Sequence, residues 1–151
     1  MTDHSVAAPR LSLLELESVL AAKISDVYDH FSELTYQGTR VVRIALRINE
    51  VNVLDWLLNQ EPQLSVYWSD RDGHFEAGGV GVADEFFSPG TEDVKALSSY
   101  LQKRFQKSDP GVRYYGGIAF PYSSISSEAE WESFGGVRFV LPTFEIRREG
   151  Q

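Results

Sequence analysis

Leu13, Leu16, Leu20, Ile24, Val27 and Phe31 recur every three or four residues and predict an amphipathic helix whose apolar face rests on a flat, apolar surface. Ser12 opens that helix. With Glu15 three positions later it has the capping-box spacing, in which each side chain serves the other residue's free backbone N–H. Residues 1–11 are small and polar, include Pro9, and read as a flexible lead-in tail. After Gly38, the stretch Thr39–Ile48 is rich in β-branched residues with Arg40, Arg43 and Arg47 interspersed, and predicts a strand. Asn52–Leu58 predicts a short buried helix closed by Pro62. Strict turn chemistry follows: Leu64–Ser69 and Phe75–Ala83 read as a hairpin joined by Asp70-Arg71-Asp72-Gly73. Ser88-Pro89-Gly90 is a loop, and Thr91 caps a second helix running to about Lys107, with Val94, Leu97, Leu101 and Phe105 facing inward. Glu92 and Asp93 in its first turn and Lys103, Arg104 and Lys107 in its last complement the helix dipole.

From Arg113 to Arg148 the pattern becomes strand, Gly-Gly turn, aromatic anchor, strand, Pro142, strand. Helices mixed with antiparallel-type strands predict an α+β fold, an antiparallel sheet with helices packed on one face. Residues 12–148 are expected to form a single domain, with 149–151 as a cut end. Three apolar strands in succession ask to be covered, so the sequence reads as the front part of a longer protein. A missing domain would leave an exposed apolar face through which the chain is expected to self-associate.

Composition narrows the function. Hydrophobic residues at 42% and aromatics at 13% fit a packed domain. The formal net charge of -8 repels phosphate backbones and anionic lipid, which argues against nucleic-acid and membrane partners. Without cysteine, a disulfide scaffold, a thiolate metal site and a Cys nucleophile are excluded. The N-terminus carries no apolar run of signal-peptide type, and no stretch approaches the roughly 18 apolar residues of a membrane span. A cytoplasmic location is the expectation.

The candidate chemistry is thin. Gly78-Gly79-Val80-Gly81 lacks the third glycine of a dinucleotide fingerprint and lies within a strand, so close strand packing explains it better than phosphate binding. Asp70-x-Asp72-Gly73 resembles the start of a calcium loop, but its glycine sits at position four and position twelve is Gly81, so a β-turn accounts for it. Glu128, Glu130 and Glu132 alternate and could hold a cation, although a solvated face with Trp131 and Phe134 turned inward is the simpler reading. His4, His30 and His74 have no metal-ligand spacing. No G-x-S-x-G elbow occurs, and no base can be named for a serine nucleophile. No catalytic, cofactor-binding or metal-ligating residue is assigned.

Two ordered blocks carry a resemblance. The first is Val66-Tyr67-Trp68-Ser69-Asp70-Arg71-Asp72-Gly73 followed by Ala77-Gly78-Gly79-Val80-Gly81-Val82-Ala83. The second is Tyr115-Gly116-Gly117-Ile118-Ala119-Phe120, then Trp131-Glu132-Ser133-Phe134, then Arg138-Phe139-Val140-Leu141-Pro142 and Phe144-Glu145-Ile146-Arg147-Arg148. Spanning roughly residues 40–148, this order resembles the N-terminal half of chorismate-utilising enzymes, closest to isochorismate synthases.

The resemblance implies one subdomain of the layered chorismate-binding fold. It implies a parent enzyme that moves a hydroxyl on chorismate with Mg²⁺, toward menaquinone or a siderophore. The lysine base, glutamate acid and metal-holding glutamates of that family lie in motifs beyond the last strand, so none is carried over here. The implied partner is a C-terminal chorismate-binding domain, and this portion alone is expected to be inactive. Anthranilate and aminodeoxychorismate synthases remain alternatives, as does a stand-alone module binding a small molecule or a protein. Leu13-Leu14-Glu15-Leu16-Glu17-Ser18 is superficially similar to a family inhibitor element, but core packing is the simpler use of its leucines. Trp68, Phe120, Trp131 and Phe139 are expected to be buried anchors, with Gly78, Gly79, Gly81, Gly116 and Gly117 allowing close strand approach.

Overall fold

The computed structural model describes residues 11–32, 40–61, 63–120 and 133–150. Helix α1 (Leu13–Ser32) comes first, then α2 (Val53–Leu58), β1 (Ser65–Ser69), β2 (Phe75–Val80) and β3 (Asp84–Ser88). A single 3₁₀ turn (Thr91–Asp93) leads into α3 (Val94–Phe105), and β4 (Tyr115–Ile118), β5 (Val137–Leu141) and β6 (Phe144–Glu149) complete the order. The strands form two three-stranded antiparallel sheets, β1-β2-β6 and β3-β5-β4. The protein is thus α+β, as its pattern predicts.

The chain passes directly from one sheet to the other twice, at adjacent points. β2 runs through Gly81-Val82-Ala83 into β3, and β5 runs through Pro142-Thr143 into β6. Because β2 pairs with β6 and β3 with β5, the two passages lie side by side as one corner. Backbone bonds carry the pairing around it: Ala83 N–H donates to Leu141 O at 2.8 Å and Thr143 N–H to Val80 O at 3.0 Å. Gly81 makes the bend with φ +74°, a conformation that costs glycine little and other residues more. Beside it Gly79 gives Pro142 room, since a Cβ there would stand 2.7 Å from the proline Cβ. Val80, Val140, Leu141 and Pro142 are buried at this corner.

Each sheet carries its own helix. Gly78 faces α2, whose Val53 and Leu57 would meet any side chain at that position, and Val53 is fully buried. Asn52 caps α2 by accepting the Asp55 N–H at 3.1 Å. The predicted burial of α2 holds on one side only, because Leu58 is 82% exposed. Helix α3 lies on the second sheet, with Leu97 buried and the Tyr100 ring 5.3 Å from that of Phe86. Val94 and Phe105, predicted to face inward, are exposed.

At α1 the capping box forms as its spacing predicts. The Ser12 N–H donates to Glu15 Oε2 at 2.9 Å, the Ser12 hydroxyl to the same oxygen at 2.7 Å, and the Glu15 N–H to Ser12 Oγ at 3.4 Å. These donors, the Ser12 hydroxyl above all, hold the Glu15 carboxyl below its ordinary pKa. A carboxylate depressed in the fold supports the helix above the ordinary value and loses that support as pH falls through the folded one. An NMR titration is expected to give Glu15 a pKa below that of Glu17, with Ser12→Ala raising it; an unchanged value in the variant would show that the box does not form in solution.

The apolar face predicted for α1 is not laid on a sheet. Leu16, Leu20 and Val27 are half-buried, whereas Ile24 and Tyr28 are exposed. The helix is tied in at its start, where Leu11 bridges the 40–52 segment through Arg47 O at 3.0 Å and Asn49 N–H at 2.9 Å.

That segment also corrects an expectation. Among the described residues, 41–48 make only isolated bridges, Leu11 to Ile48 and Val41 to Ser108, and no ladder. The segment is tied instead to the Asp109-Pro110 turn by side-chain and backbone bonds. Arg40 donates to Asp109 Oδ1 at 3.1 Å and the Arg43 backbone N–H to Asp109 Oδ2 at 3.0 Å. The Asp109 carboxyl is lowered chiefly by that Arg43 N–H. The hairpin forms with Gly73 at φ +71°, but its return strand stops at Val80, and β3 covers residues 84–87, to which the pattern assigns no element, and Ser88, read as the start of a loop. Among the described residues no helix is long and apolar enough to cross a membrane.

Candidate functional site

A groove of about 810 Å³ lies between β1-β2 and the residues leading into β4. Val66, Trp68 and Phe75 form one wall, because alternation along the paired strands turns them to the same face. The Trp68 and Phe75 rings meet edge to face with centroids 5.3 Å apart. Tyr114, Tyr115 and Phe139 form the other wall, and Phe105 at the end of α3 joins it with its ring 5.7 Å from that of Tyr114.

Among the described residues, Arg113 is the cation that lines this groove. Its guanidinium stacks on the Phe75 ring at 4.3 Å from the centroid, and its ion pair with Glu149 is long at 3.9 Å. The Tyr115 hydroxyl is enclosed and makes no well-formed hydrogen bond, although Glu145 and Arg113 lie close enough to act on it by charge. Burial first, and then the Glu145 charge, pushes this hydroxyl up to about 12, so it is neutral at physiological pH. Glu145 itself pairs with Arg147 at 2.7 Å.

Behind the groove a tighter cluster fixes its second wall. Asp84 of β3 accepts from the Tyr100 hydroxyl at 2.6 Å and from the Tyr114 hydroxyl, and Arg104 reaches both its oxygens at 3.0 Å. Both tyrosines are raised, by burial first and then by the Asp84 carboxylate. On the opposite face of the same sheet Glu85 accepts from Arg138 at 2.7 Å. The first sheet has its own cross-strand set on the α2 side, where Glu76 accepts from Tyr67 at 2.9 Å and pairs with Arg148 at 2.8 Å. The Glu76 bond raises Tyr67. A smaller depression of about 210 Å³ is bordered by Arg40 and Lys107.

The residues singled out in the sequence fall mainly into structural roles. Gly78 and Gly79 are interior to β2, which leads into a strand and not a helix, so they cradle no phosphate. Asp70 to Gly73 is a turn, closed by Asp70 N–H donating to Phe75 O at 3.0 Å. His30 lies on α1 and His74 at the hairpin. Glu128, Glu130, Trp131, Glu132 and His4 fall outside the described residues. Among the described residues no three His, Cys, Asp or Glu side chains gather to hold a metal.

Two expected anchors are corrected: Trp68 is 47% exposed and Phe120 is 83% exposed. Trp68 lies on an edge strand and walls an open groove, and Phe120 lies just past the end of β4. Phe139 is half-buried, short of the full burial expected of an anchor. Sequence reasoning passed over Arg113 and Tyr115. The available signal was an arginine followed by two tyrosines immediately ahead of Gly116-Gly117.

The corner-joined sheets, each backed by a helix, and the aromatic groove between strand elements make up an α+β domain. The family model described as chorismate binding enzyme matches residues 27–151. The chain belongs to the chorismate-binding enzyme family. No curated protein and no solved structure matches it.

Proposed function

We propose that this chain is the supporting N-terminal portion of an isochorismate synthase. It shapes and encloses the site where chorismate is converted to isochorismate, and it does not perform the conversion by itself. The observation that carries this reading is what the motif residues do. Gly79 and Pro142 pack against each other, Arg138 holds Glu85, and Trp68 walls the groove. The shared pattern is thus spent on joining two sheets and presenting an aromatic surface. Covering a reacting ring in this way matters because fixed dipoles stabilise charge best where water is excluded. In the complete enzyme other residues would hold Mg²⁺ and furnish the acid–base pair. Menaquinone is the product branch favoured here over a siderophore, and the setting is cytoplasmic.

The purified chain given chorismate and Mg²⁺ is expected to form no isochorismate above the rate without protein. Measurable turnover that survives repurification would place the chemistry on this chain and overturn the proposal. Anthranilate or aminodeoxychorismate formation when ammonia is supplied would instead favour the amino-transferring branch of the family.

A further inference from the structure

We infer that the free edge of β1 is a self-association surface, on which β1 of a second copy of this chain pairs antiparallel about a two-fold axis at Tyr67. This inference stands apart from the isochorismate reading, since it uses only the edge and its sequence. A sheet edge presents unpaired N–H and C=O groups, and folded proteins blunt it with charge, proline, a bulge or shortness. Among the described residues the edge strands are β1, β6, β3 and β4. Strand β6 carries Glu145, Arg147, Arg148 and Glu149, β3 carries Asp84 and Glu85, and β4 is four residues long with Gly116-Gly117 inside it. Strand β1 has none of these devices. Ser65-Val66-Tyr67-Trp68-Ser69 bears no charge and no proline, and it pairs with β2 without a bulge. Apart from Val66 its residues are exposed, Tyr67 at 45%.

The pairing with β2 settles which backbone groups of β1 are free. Asp70 N–H donates to Phe75 O at 3.0 Å and Gly81 N–H to Leu64 O at 2.9 Å, so the even-numbered residues bond to β2. Ser65, Tyr67 and Ser69 therefore turn their N–H and C=O outward. That set is symmetric about Tyr67, and the symmetry selects a second copy as the occupant. Tyr67 meets its twin and Ser65 meets Ser69, each pair exchanging two backbone bonds. Between them Val66 stands opposite Trp68 of the second copy, a β-branched residue beside an aromatic one. Charge agrees with this register. Asp70, the acid next to the strand, lies opposite Leu64 of the second copy, and the two Asp70 positions stand about 20 Å apart, beyond the Debye length of about 8 Å. Two three-stranded sheets thereby become one of six strands.

Sedimentation equilibrium on the whole chain is expected to show a monomer–dimer balance with a Kd of about 100 μM, in keeping with a short interface. Ser65→Pro removes an outward N–H at the first residue of an edge strand, where proline is tolerated. It is expected to weaken the dimer about tenfold, because the two-fold axis deletes the bond twice. The chain has no cysteine, which permits a test of register. Under mild oxidation Tyr67→Cys is expected to link two copies, since the paired Cα atoms stand about 5.5 Å apart. Ser69→Cys is expected not to, since those two positions lie about 14 Å apart along the strands. Three results overturn the inference: the chain stays monomeric at about 1 mM, roughly ten times the expected Kd; Ser65→Pro, folded by circular dichroism, associates as tightly as the parent, which places the contact on another face; or Ser69→Cys links as readily as Tyr67→Cys. Should Ser65→Pro fail to fold, the two cysteine variants decide.

Discussion

Asp84→Ala is expected to lower the stability of the fold by about 3 kcal/mol, the lower end of the cost of removing one partner from a buried ion pair. One carboxylate accepts from Tyr100 and Tyr114 and pairs with Arg104 through both its oxygens. Its removal leaves the Tyr114 hydroxyl without this acceptor, Tyr100 with only Glu85 O at 3.1 Å and Arg104 with only the Tyr100 hydroxyl at 3.3 Å, and such losses cost more than the bonds contributed. The lower end applies because the Asp84 and Arg104 side chains keep 16% and 23% of their exposure. Urea denaturation should show a lower midpoint with an unchanged slope. Asp84→Asn, which keeps an acceptor but not the charge, should fall between the parent and the alanine variant. A loss below about 0.5 kcal/mol, the scale of surface substitutions, would mean that α3 does not depend on this cluster.

Gly79→Val is the second large effect. A Cβ at this position would stand 2.7 Å from Pro142 Cβ and 3.0 Å from Val66 Cγ2, and neither neighbour has freedom to swing away. Proline is held by its ring and Val66 is a β-branched residue of a paired strand. Overpacking of this kind costs about 3 kcal/mol, or a fall in Tm of roughly 6–12 °C for a chain of this size. Thermal melting followed by circular dichroism would measure it, and a variant that keeps the parent Tm would show that the corner has slack.

The parts of the fold that read correctly from sequence are those fixed by neighbours in the chain. The Ser12 box and the Asp70–Gly73 turn each close within a few residues, so their chemistry is written locally. Strand β3 escaped because its first residues, Asp84 and Glu85, are charged and depleted in strands by preference. Both are neutralised by residues far along the chain, Arg104 and Arg138, and no local pattern announces such partners. The 41–48 segment errs in the opposite direction: its β-branched residues suit a strand, but among the described residues it forms no ladder.

The division of strands between two sheets was equally hidden, since it depends on where Gly81 and Pro142 meet in space. The groove follows from that division. It brings together residues 66–75 and 112–116, which belong to different sheets.

The corner has a consequence for how the protein comes apart. Two sheets that meet only through a hinge could melt one after the other, leaving a half-folded species. Here the ladder of β2 with β6 continues into that of β3 with β5 without a gap in the backbone bonding. Opening one end therefore strips support from the other. Amides on both ladders should exchange with solvent through a single shared opening, while those of the exposed stretch of α1 exchange through a cheaper one of their own.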